Sequence, residues 1–251
     1  MGNPACKAAD RSLSDENNRL LARIVVKRPR VHCLTNPVAQ GLTAQALVAI
    51  GVEPSMSAHP EEIVALASRS DAILVNLGML DPMREAAIEM LLTLNGGFEM
   101  PLVLDPVMVE RSPFRRSIAE RFGDFPKLIV KGNRSEMTEL ANIFPAGTTL
   151  VTTGPVDLVS RNGFERSIDG GHPLLAQVSG TGCLAGAMIA AFAAVEPDPL
   201  RASTSALQVL RAATASAGAL ARGPGTFVPL MLDALANAAQ CQILNRIEAD
   251  Q

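Results

Sequence analysis

The sequence predicts one α/β domain in which helices cover both faces of a mainly parallel central sheet. Short apolar runs rich in β-branched residues alternate with longer segments of helical periodicity, the pattern of repeated strand–helix units. An Asn-Gly pair between two extended runs then predicts a hairpin, and the alanine-rich remainder predicts helices. We expect a single domain over residues 23–251, because no linker or shift in composition divides it, and a polar, disordered lead-in over residues 1–22.

Each predicted strand is apolar at nearly every position, as expected of a strand buried on both faces of a parallel sheet. The predicted strands are 31–34, 72–77, 102–104, 128–130 and 150–153, followed by a hairpin of 156–160 and 164–168 around Asn162-Gly163. The predicted helices are 40–50, 82–94, 183–195, 200–221 and 229–246. Gly51 and Gly96-Gly97 are the predicted stops of the first two helices.

Composition excludes several classes of function. Apolar residues make up 48% of the chain and charged residues 19%, a balance that supports a folded core. Lys and Arg number 22 against 25 Asp and Glu, so the net charge of −3 offers no basic surface for nucleic acid or an anionic membrane. Because the chain has only 8 Phe and neither Trp nor Tyr, we expect no base-stacking platform.

The cysteines and the N-terminus predict a cytoplasmic protein. Cys6, Cys33, Cys183 and Cys241 form no CxxC pair, so neither a zinc site nor a redox dithiol is expected. We expect free thiols, which together with the lack of a secretory signal predict a reducing compartment. The longest mostly apolar run, 183–195, is too short to cross a membrane.

Polar residues follow nearly every predicted strand, at the sheet edge where α/β proteins bind their ligands. These strand exits are Asn36, residues 76–78, Asp105, Gly132-Asn133 and Thr153-Gly154. The three histidines have no mutual spacing of a metal site or a triad, so none is assigned a catalytic role.

The sharpest single motif is Gly180-Thr181-Gly182-Cys183, immediately before a helical run. Its glycines let backbone N–H groups approach an anion closely, and the helix N-terminus adds about half a positive charge. The same field is expected to lower the pKa of the Cys183 thiol from about 8.5. Taken alone, such a motif is more often a glycine-rich helix cap with the cysteine as a small buried residue.

Two carboxylates at neighbouring strand exits, Asp105 and Glu136, predict a Mg²⁺ site. The segment 133–136 is alternatively a capping box, in which Glu136 reaches back to a backbone N–H, and Asp105 with Pro106 is alternatively a simple turn. Thr153-Gly154 has the form of a turn that meets a nucleotide phosphate, or of an ordinary turn closed by a threonine hydroxyl.

The order of these motifs resembles the hydroxyethylthiazole kinase family, the thiamine-salvage branch of the three-layer ribokinase-like fold. The resemblance covers roughly residues 25–240, and Gly-Thr-Gly-Cys combined with the Asn-x-Ser-Glu and His-Pro-Leu segments makes it specific. The matching segments are 31–36 (VHCLTN), 75–78 (VNLG), 104–107 (LDPV), 131–136 (KGNRSE), 151–157 (VTTGPVD), 171–174 (GHPL), 180–183 (GTGC) and 223–227 (GPGTF).

The resemblance implies an ATP- and Mg²⁺-dependent phosphorylation of the primary alcohol of 4-methyl-5-(2-hydroxyethyl)thiazole. It makes Cys183 the candidate base, with Gly180, Thr181 and Gly182 completing an anion hole, and gives Mg²⁺ and its waters to Asp105 and Glu136. It assigns the thiazole side to Met56, Asn36, Gly78 and Gly180, and the nucleotide side to Arg115, Thr153, Gly154 and Asn133. It also implies a homotrimer with sites between subunits, and no nucleic-acid or membrane partner.

The loop after Asp105 departs from the family pattern. The family usually continues Asp-Pro-Val with Gly-x-Gly-Ala-Thr, whereas this chain has Met108-Val109-Glu110-Arg111-Ser112. Arg115 keeps the spacing of the family's nucleotide-binding arginine. Any residue with positive φ in this loop would now be strained, and Glu110 would repel a triphosphate unless Arg111 or a metal ion compensates its charge.

Two alternatives stand beside a thiazole kinase. One is a kinase of another small hydroxymethyl heterocycle, such as a pyrimidine, and the other is a non-catalytic, ligand-binding paralogue of the same fold. The altered loop favours the non-catalytic paralogue. The intact 180–183 motif, together with Asp105 and Glu136, favours an enzyme.

Overall fold

The computed structural model describes residues 13–94 and 99–249, and these residues form an eight-stranded sheet. In chain order the strands are β1 (Arg30–Leu34), β2 (Glu53–Ser55), β3 (Ala72–Asn76), β4 (Leu102–Asp105), β5 (Leu128–Asn133), β6 (Thr149–Thr153), β7 (Asp157–Arg161) and β8 (Phe164–Ile168). Their order across the sheet is β2-β1-β3-β4-β5-β6-β7-β8. Strands β1 to β6 pair in parallel, and β7 and β8 continue the sheet in antiparallel fashion, as the Asn-Gly hairpin predicts.

Helices cover the sheet on both sides and make the predicted three layers. They are α1 (Asp15–Lys27), α2 (Pro37–Ala49), α3 (Pro60–Ser68), α4 (Pro82–Leu92), α5 (Pro113–Glu120), α6 (Arg134–Glu139), α7 (Thr181–Ala193), α8 (Pro199–Leu220) and α9 (Pro224–Ala249). Short 3₁₀ helices at Val109–Arg111 and Pro173–Gln177 precede α5 and α7. Helices α1, α2, α7, α8 and α9 share one apolar core, whereas α3, α4 and α5 pack into another.

Alternate residues of the central strands enter opposite layers. In β3, Leu74 belongs to the core of the first layer, while Ile73 and Val75 belong to the core of the second. All five positions of β3 are buried. This two-sided burial explains why the strands read as continuous apolar runs rather than as alternating ones.

Helix α1 corrects the predicted lead-in. It begins at Asp15 behind Ser14, whose side chain accepts a hydrogen bond from the backbone N–H of Asn17. Leu20 and Leu21 are buried in the core. The ordered domain therefore starts inside the segment 1–22, because a helix with a polar first turn and one apolar face resembles a polar tail. Residues 1–12 lie outside the described part of the chain.

Two elements near the sheet edge are missing from the sequence prediction. Strand β2 contains Pro54 and is only partly buried, and proline is tolerated in an edge strand because one side of the strand has no hydrogen-bonding partner. Helix α3 begins behind His59, whose ring accepts a hydrogen bond from the N–H of Glu61. Neither signal is strong at the level of sequence, since the strand is short and histidine is an uncommon cap.

Several helix ends differ from their predicted positions. Helix α2 begins at Pro37, α4 ends at Leu92, and α9 begins at Pro224 and continues through Pro229. Proline at the first helical position loses nothing, because that N–H has no partner within the helix. The predicted stop at Gly96-Gly97 lies outside the described residues.

The cysteines do not behave as one class. Cys33 and Cys183 are free thiols, whereas Cys241 is disulfide-bonded, so the expectation of free thiols is wrong for Cys241. Cys6 lies outside the described residues. The cysteines therefore give no indication of the redox compartment. Within the described residues, no helix combines the length and apolarity needed to span a membrane.

Helix α7 positions the N-terminus on which the predicted site depends. Ten of its residues, from Leu184 to Ala193, are buried, and the helix packs against β3 and β4. A Cβ at Gly186 would lie 3.0 Å from Cδ1 of Leu74. Small residues thus let the helix approach the sheet closely, with its first turn at the carboxyl ends of the strands.

Candidate active site

The carboxyl ends of five parallel strands bring the predicted polar residues together. The register pairs Asn76 with Asp105 across β3 and β4, and Asn133 with Thr153 across β5 and β6. Asn36 follows β1, and its side-chain N–H donates to Oδ1 of Asn76 over 3.0 Å. The predicted strand exits therefore form one cluster at one edge of the sheet.

Cys183 lies in the first turn of α7, as predicted. Gly180 precedes the helix with a φ of +85°, and a Cβ at this position would come within 3.1 Å of the Cα of Ala39. Both the positive φ and the close approach require glycine. Gly182 is exposed and Cys183 is half-buried, so the motif opens to solvent and is not sealed in the core.

Two side-chain amides donate to the sulfur of Cys183. Nδ2 of Asn36 and Nδ2 of Asn76 each lie 3.2 Å from Sγ. Asn76 also donates to Oδ2 of Asp105 over 2.7 Å. The sequence identified Asn76 only as a strand exit. Its stronger signal is that a fully buried amide ends a wholly apolar strand and must find partners there.

Burial raises the pKa of the Cys183 thiol above its usual value, and the charge of Asp105 adds to that rise. The charge of Lys131 and the hydrogen bonds from Asn36 and Asn76 act in the opposite direction without overcoming it. The predicted lowering of this pKa by the helix N-terminus is therefore wrong. Desolvation of the thiolate is the largest cause of the shift, and it acts against the lowering expected at a helix N-terminus.

Lys131 is a site residue that sequence reasoning missed. Its side chain is 5% exposed, and its Nζ lies 3.1 Å from Oδ1 of the equally buried Asp105. Burial alone would lower the pKa of Lys131, but the charge and hydrogen bond of Asp105, together with the charge of Glu136, raise it above its usual value. The ammonium group is therefore retained. A lone lysine in an otherwise apolar strand is the signal that could have identified it.

The capping box at the start of α6 is confirmed. Asn133 accepts a hydrogen bond from the N–H of Glu136 over 3.0 Å, and Oε2 of Glu136 accepts one from the N–H of Asn133 over 2.7 Å. Oε1 of Glu136 also accepts the N–H of Met108 over 2.8 Å. One carboxylate thus joins the loop after β4 to the end of β5. A Cβ at Gly132 would lie 3.0 Å from that carboxylate, so glycine leaves it room.

The acidic pair has spare acceptor capacity. Each carboxylate oxygen of Asp105 and Glu136 accepts one hydrogen bond and keeps a further lone pair. The two carboxylates are close enough to interact electrostatically. Among the described residues, no group of three or more His, Cys, Asp or Glu side chains could hold a metal ion alone. The pair therefore fits Mg²⁺ that keeps several waters and takes other ligands from phosphates.

A cavity of about 720 Å³ lies beside the N-terminus of α7. Thr181 and Gly182 line it, together with three residues predicted for the nucleotide, Asn133, Thr153 and Gly154. Arg115 is not among its lining residues. Its guanidinium donates instead to the backbone carbonyl of Val107 over 2.6 Å. Arg115 thus braces the loop after β4 and does not line this cavity.

A buried arginine on α4 clamps the loop after β3. Arg84 donates to the carbonyl of Met79 over 2.9 Å and also to the carbonyls of Asn76 and Gly78. The N–H of Gly78 donates to Oδ1 of Asn76 over 3.0 Å, so this predicted acceptor-side glycine lies next to the amide that contacts Cys183. The sequence did not identify Arg84 as a buried residue, because an arginine in an amphipathic helix is usually solvent-facing. Met56, also predicted for the acceptor side, follows β2 and is partly buried against the first core.

The altered loop carries the strain that its sequence predicts. Met108 has a φ of +58°, in the left-handed region. Glu110 pairs with Arg111 over 3.2 Å, so Arg111 offsets part of the negative charge that would repel a triphosphate. The loop continues as the 3₁₀ turn Val109–Arg111 and leads into α5 behind the cap Ser112.

The histidines have structural partners. His32 is fully buried against Ser55, with 2.7 Å between Nδ1 and Oγ, and burial lowers its pKa to about 4. His59 and His172 each accept a hydrogen bond from a backbone N–H at a helix start. His32 is therefore neutral at pH 7 and adds no charge to the site.

Comparisons with known proteins agree on one family. The model of the "Hydroxyethylthiazole kinase family" matches residues 21–146 and 143–240. A probable hydroxyethylthiazole kinase from Agrobacterium fabrum is 42% identical over 234 residues, which cover 92% of this chain and 94% of that protein. The solved hydroxyethylthiazole kinase of Pyrococcus horikoshii superposes with a TM-score of 0.81 at 31% identity, over 89% of this chain and 93% of that one. A ribokinase-like superfamily protein from Enterococcus faecalis, at 15% identity and a TM-score of 0.64, covers 89% of this chain and 95% of its own and shares the fold.

Proposed function

The chain belongs to the hydroxyethylthiazole kinase family, and from that membership we propose that it transfers a phosphoryl group from ATP to the primary alcohol of 4-methyl-5-(2-hydroxyethyl)thiazole, a step of thiamine salvage. The observation that carries this proposal is the position of the Gly180–Cys183 motif. Thr181 and Gly182 face the cavity beside α7, while Cys183 contacts the amides of Asn36 and Asn76. The helix N-terminus therefore separates a nucleotide side from an acceptor side.

The residues at this junction supply what phosphoryl transfer needs. Catalysis of this reaction is mostly positioning and neutralisation of charge, with little covalent help from the protein. The N–H groups in the first turn of α7, from Thr181 to Cys183, have no acceptor within the helix and so can stabilise developing negative charge. Lys131, on β5, adds a buried positive charge beside Asp105. Cys183 is proposed to accept the proton of the acceptor hydroxyl.

Mg²⁺ would be held by Asp105 and Glu136. When bound, such an ion neutralises phosphate charge and orients the phosphates. The chain's own contribution is the fixed geometry of the pair. Lys131 and Asn76 hold the two oxygens of Asp105, and the N–H groups of Met108 and Asn133 hold those of Glu136. A Glu136→Gln variant should therefore need more Mg²⁺ for half-maximal turnover, while Glu139→Gln, on the same helix, should not.

The other site residues divide between the two sides of the junction. Asn133, Thr153 and Gly154 line the cavity and are proposed to contact the nucleotide. Arg115 is proposed to act on the nucleotide side through the loop that it braces. Asn36, Gly78, Gly180 and Met56 are proposed for the thiazole side.

The deciding experiment is turnover of ATP with the purified chain, Mg²⁺ and the thiazole alcohol, compared with a panel of hydroxymethylpyrimidines. Phosphorylation of the thiazole alcohol at the highest kcat/KM supports the proposal. Preference for a pyrimidine would move the assignment to a related salvage kinase. Binding without turnover on every alcohol would indicate the non-catalytic paralogue that the altered loop favours.

A homotrimer with acceptor sites between subunits, and a location in the cytoplasm, complete the proposal. Exposed large apolar side chains near the acceptor side, Val38 and Met79, are of the kind that subunit contacts cover. ATP, the donor that a kinase uses, is a cytoplasmic metabolite. Light scattering on the purified protein would test the trimer, and cell fractionation would test the location.

A further inference from the structure

An ion pair between α8 and β7 closes one wall of the cavity beside α7. Nε of Arg211 lies 2.9 Å from Oδ2 of Asp157, and its Nη2 lies 2.7 Å from Oδ1. The side chains are only 13% and 4% exposed. This two-point contact uses the planar fork of a guanidinium, which a lysine cannot reproduce.

The remaining donors of the pair reach backbone. Arg211 donates from Nη1 to the carbonyl of Gly170 over 2.8 Å and from Nη2 to the carbonyl of Gly154 over 2.5 Å. Oδ1 of Asp157 accepts the N–H of Gly154 over 2.9 Å. One ion pair thus joins α8 to both the turn after β6 and the loop after β8.

The loop after β8 is shaped to lie directly on this arginine. Gly171 has a φ of +84°, and a Cβ there would come within 2.9 Å of Cδ of Arg211 and 3.1 Å of Oγ1 of Thr214. The next residue, His172, packs onto α8 so closely that a Cβ at Gly218 would overlap its ring. Both glycines are therefore required by the contact between loop and helix.

This wall has open space on both sides. Gly154, Gly170, Gly171 and Arg211 line the 720 Å³ cavity together with Thr153. Gly170, Gly171 and Arg211 also line a second hollow of about 420 Å³ on the far side. Because a hollow lies against the loop there among the residues that the structure describes, the position of the loop depends on its contacts with α8.

We propose that Arg211 and Asp157 are positioning residues for the nucleotide, holding the turn at Gly154 and the loop at Gly170-Gly171 in the shape that accepts ATP. The inference rests on the proposed function in one respect, the assignment of this cavity to the nucleotide. Within the described residues, no hydrogen bond or ion pair links Arg211 or Asp157 to Asn36, Asn76 or Cys183, so we expect binding of the acceptor alcohol not to depend on the pair.

The test compares KM values for the two substrates. Arg211→Ala and Asp157→Asn are each expected to raise KM for ATP about tenfold, within the usual range of coupling between a positioning group and a ligand. The KM for the thiazole alcohol and the kcat at saturating ATP should change by less than about twofold. The double variant should be no worse than the poorer single one, because both changes break one contact. Arg211→Lys should restore only part of the affinity.

Arg201→Ala is the matched control, since Arg201 lies on the same helix in an exposed pair with Glu16. It should leave KM for ATP unchanged. Should Arg211→Ala fail to fold, Arg211→Lys and Asp157→Asn carry the same comparison. Equal ATP affinity in these variants and the parent, or a parallel rise in KM for the alcohol, would overturn the inference.

Calorimetry with ATP alone separates this inference from the proposed function. A parent that binds ATP but phosphorylates no thiazole alcohol contradicts the function, while the affinities of the variants still decide the role of Arg211. A parent that binds no ATP would overturn both.

Discussion

Cys183 is present mainly as the protonated thiol, because burial and the charge of Asp105 raise its pKa. The amides of Asn36 and Asn76 donate hydrogen bonds to the sulfur. These bonds stabilise the thiolate once the thiol has lost its proton. A base with a raised pKa is mostly protonated at pH 7, and the fraction of thiolate grows as the pH rises. Turnover should follow that fraction.

We therefore expect kcat to rise with pH through neutrality and to level off only above about 8.5, the ordinary pKa of a thiol. Cys183→Ala should lower kcat about 10²- to 10⁴-fold, the usual contribution of a general base, without loss of ATP binding. Cys183→Asp should stay active at pH 7 and lose the alkaline rise, because a carboxylate is ionised at lower pH. The check is a pH profile of kcat for each variant. An alanine variant that turns over as fast as the parent would remove Cys183 from the mechanism.

Lys131 is the positive partner of a fully buried carboxylate, and removing it should be costly. Lys131→Met is expected to destabilise the fold by about 3–5 kcal/mol at pH 7, since it leaves the charge of Asp105 buried without compensation. The loss should shrink at pH 5, because burial raises the pKa of Asp105 and so lets the carboxylate take up a proton at a higher pH than usual. Urea unfolding at both pH values measures this.

Lys27→Met is the control for that experiment, because Lys27 pairs with Asp71 over 3.2 Å but is 47% exposed. Exposed pairs contribute about 1 kcal/mol or less. Equal losses of unfolding free energy in the two variants would show that the buried pair stabilises the fold no more than the exposed pair does.

Among the loops of the fold, those after β3 and β4 contain the same kind of backbone strain. Each places a methionine in the left-handed region, Met79 with a φ of +50° and Met108 with a φ of +58°. The neighbouring elements hold both residues there, since Arg84 binds the carbonyl of Met79 and Glu136 binds the N–H of Met108. Such backbone persists only where its surroundings over-determine it, and it is typical of functional sites.

Met108→Gly should therefore be at least as stable as Met108→Ala, because the left-handed conformation costs about 1 kcal/mol for a residue with a Cβ. At Met90, which is exposed on helix α4, the order should reverse, with Ala about 1 kcal/mol more stable than Gly. Thermal unfolding of the four variants gives the comparison. An alanine advantage at position 108 would mean that its backbone is relaxed in solution.

At the scale of the whole molecule, the two substrate sides should respond differently to dilution. If acceptor sites lie between subunits, the alcohol binds only the assembled trimer, whereas the nucleotide cavity is lined within one chain. A ligand at 100 times its Kd stabilises a fold by about 2.7 kcal/mol. We expect the rise in Tm with ATP to be independent of protein concentration, and the rise with the thiazole alcohol to fall as the protein is diluted. An alcohol effect that survives dilution below the trimer's dissociation would place the acceptor site within one chain.

Much of the fold was predictable because most of its strands and several of its helix starts carry a clear local sequence pattern. Strands buried on both faces must be apolar throughout, so the predicted strands 72–77 and 128–130 differ from the observed ones by one and three residues. The Gly180–Cys183 motif and the capping box at Asn133 are visible because backbone turns and helix starts depend on side chains a few residues away. Helix α1 and strand β2 escaped because a polar first turn and Pro54 give weak local signals.

Local patterns along the chain were enough to establish the fold class, the order of the polar strand exits and the motif that opens α7. The pairing of distant charges depends instead on how the folded elements pack. Lys131 pairs with Asp105, 26 residues away in sequence, and Arg211 pairs with Asp157, 54 residues away. No local sequence pattern predicts such pairs. The raised pKa of Cys183 belongs with them, because desolvation is a property of the packed site and not of the residues beside it in sequence.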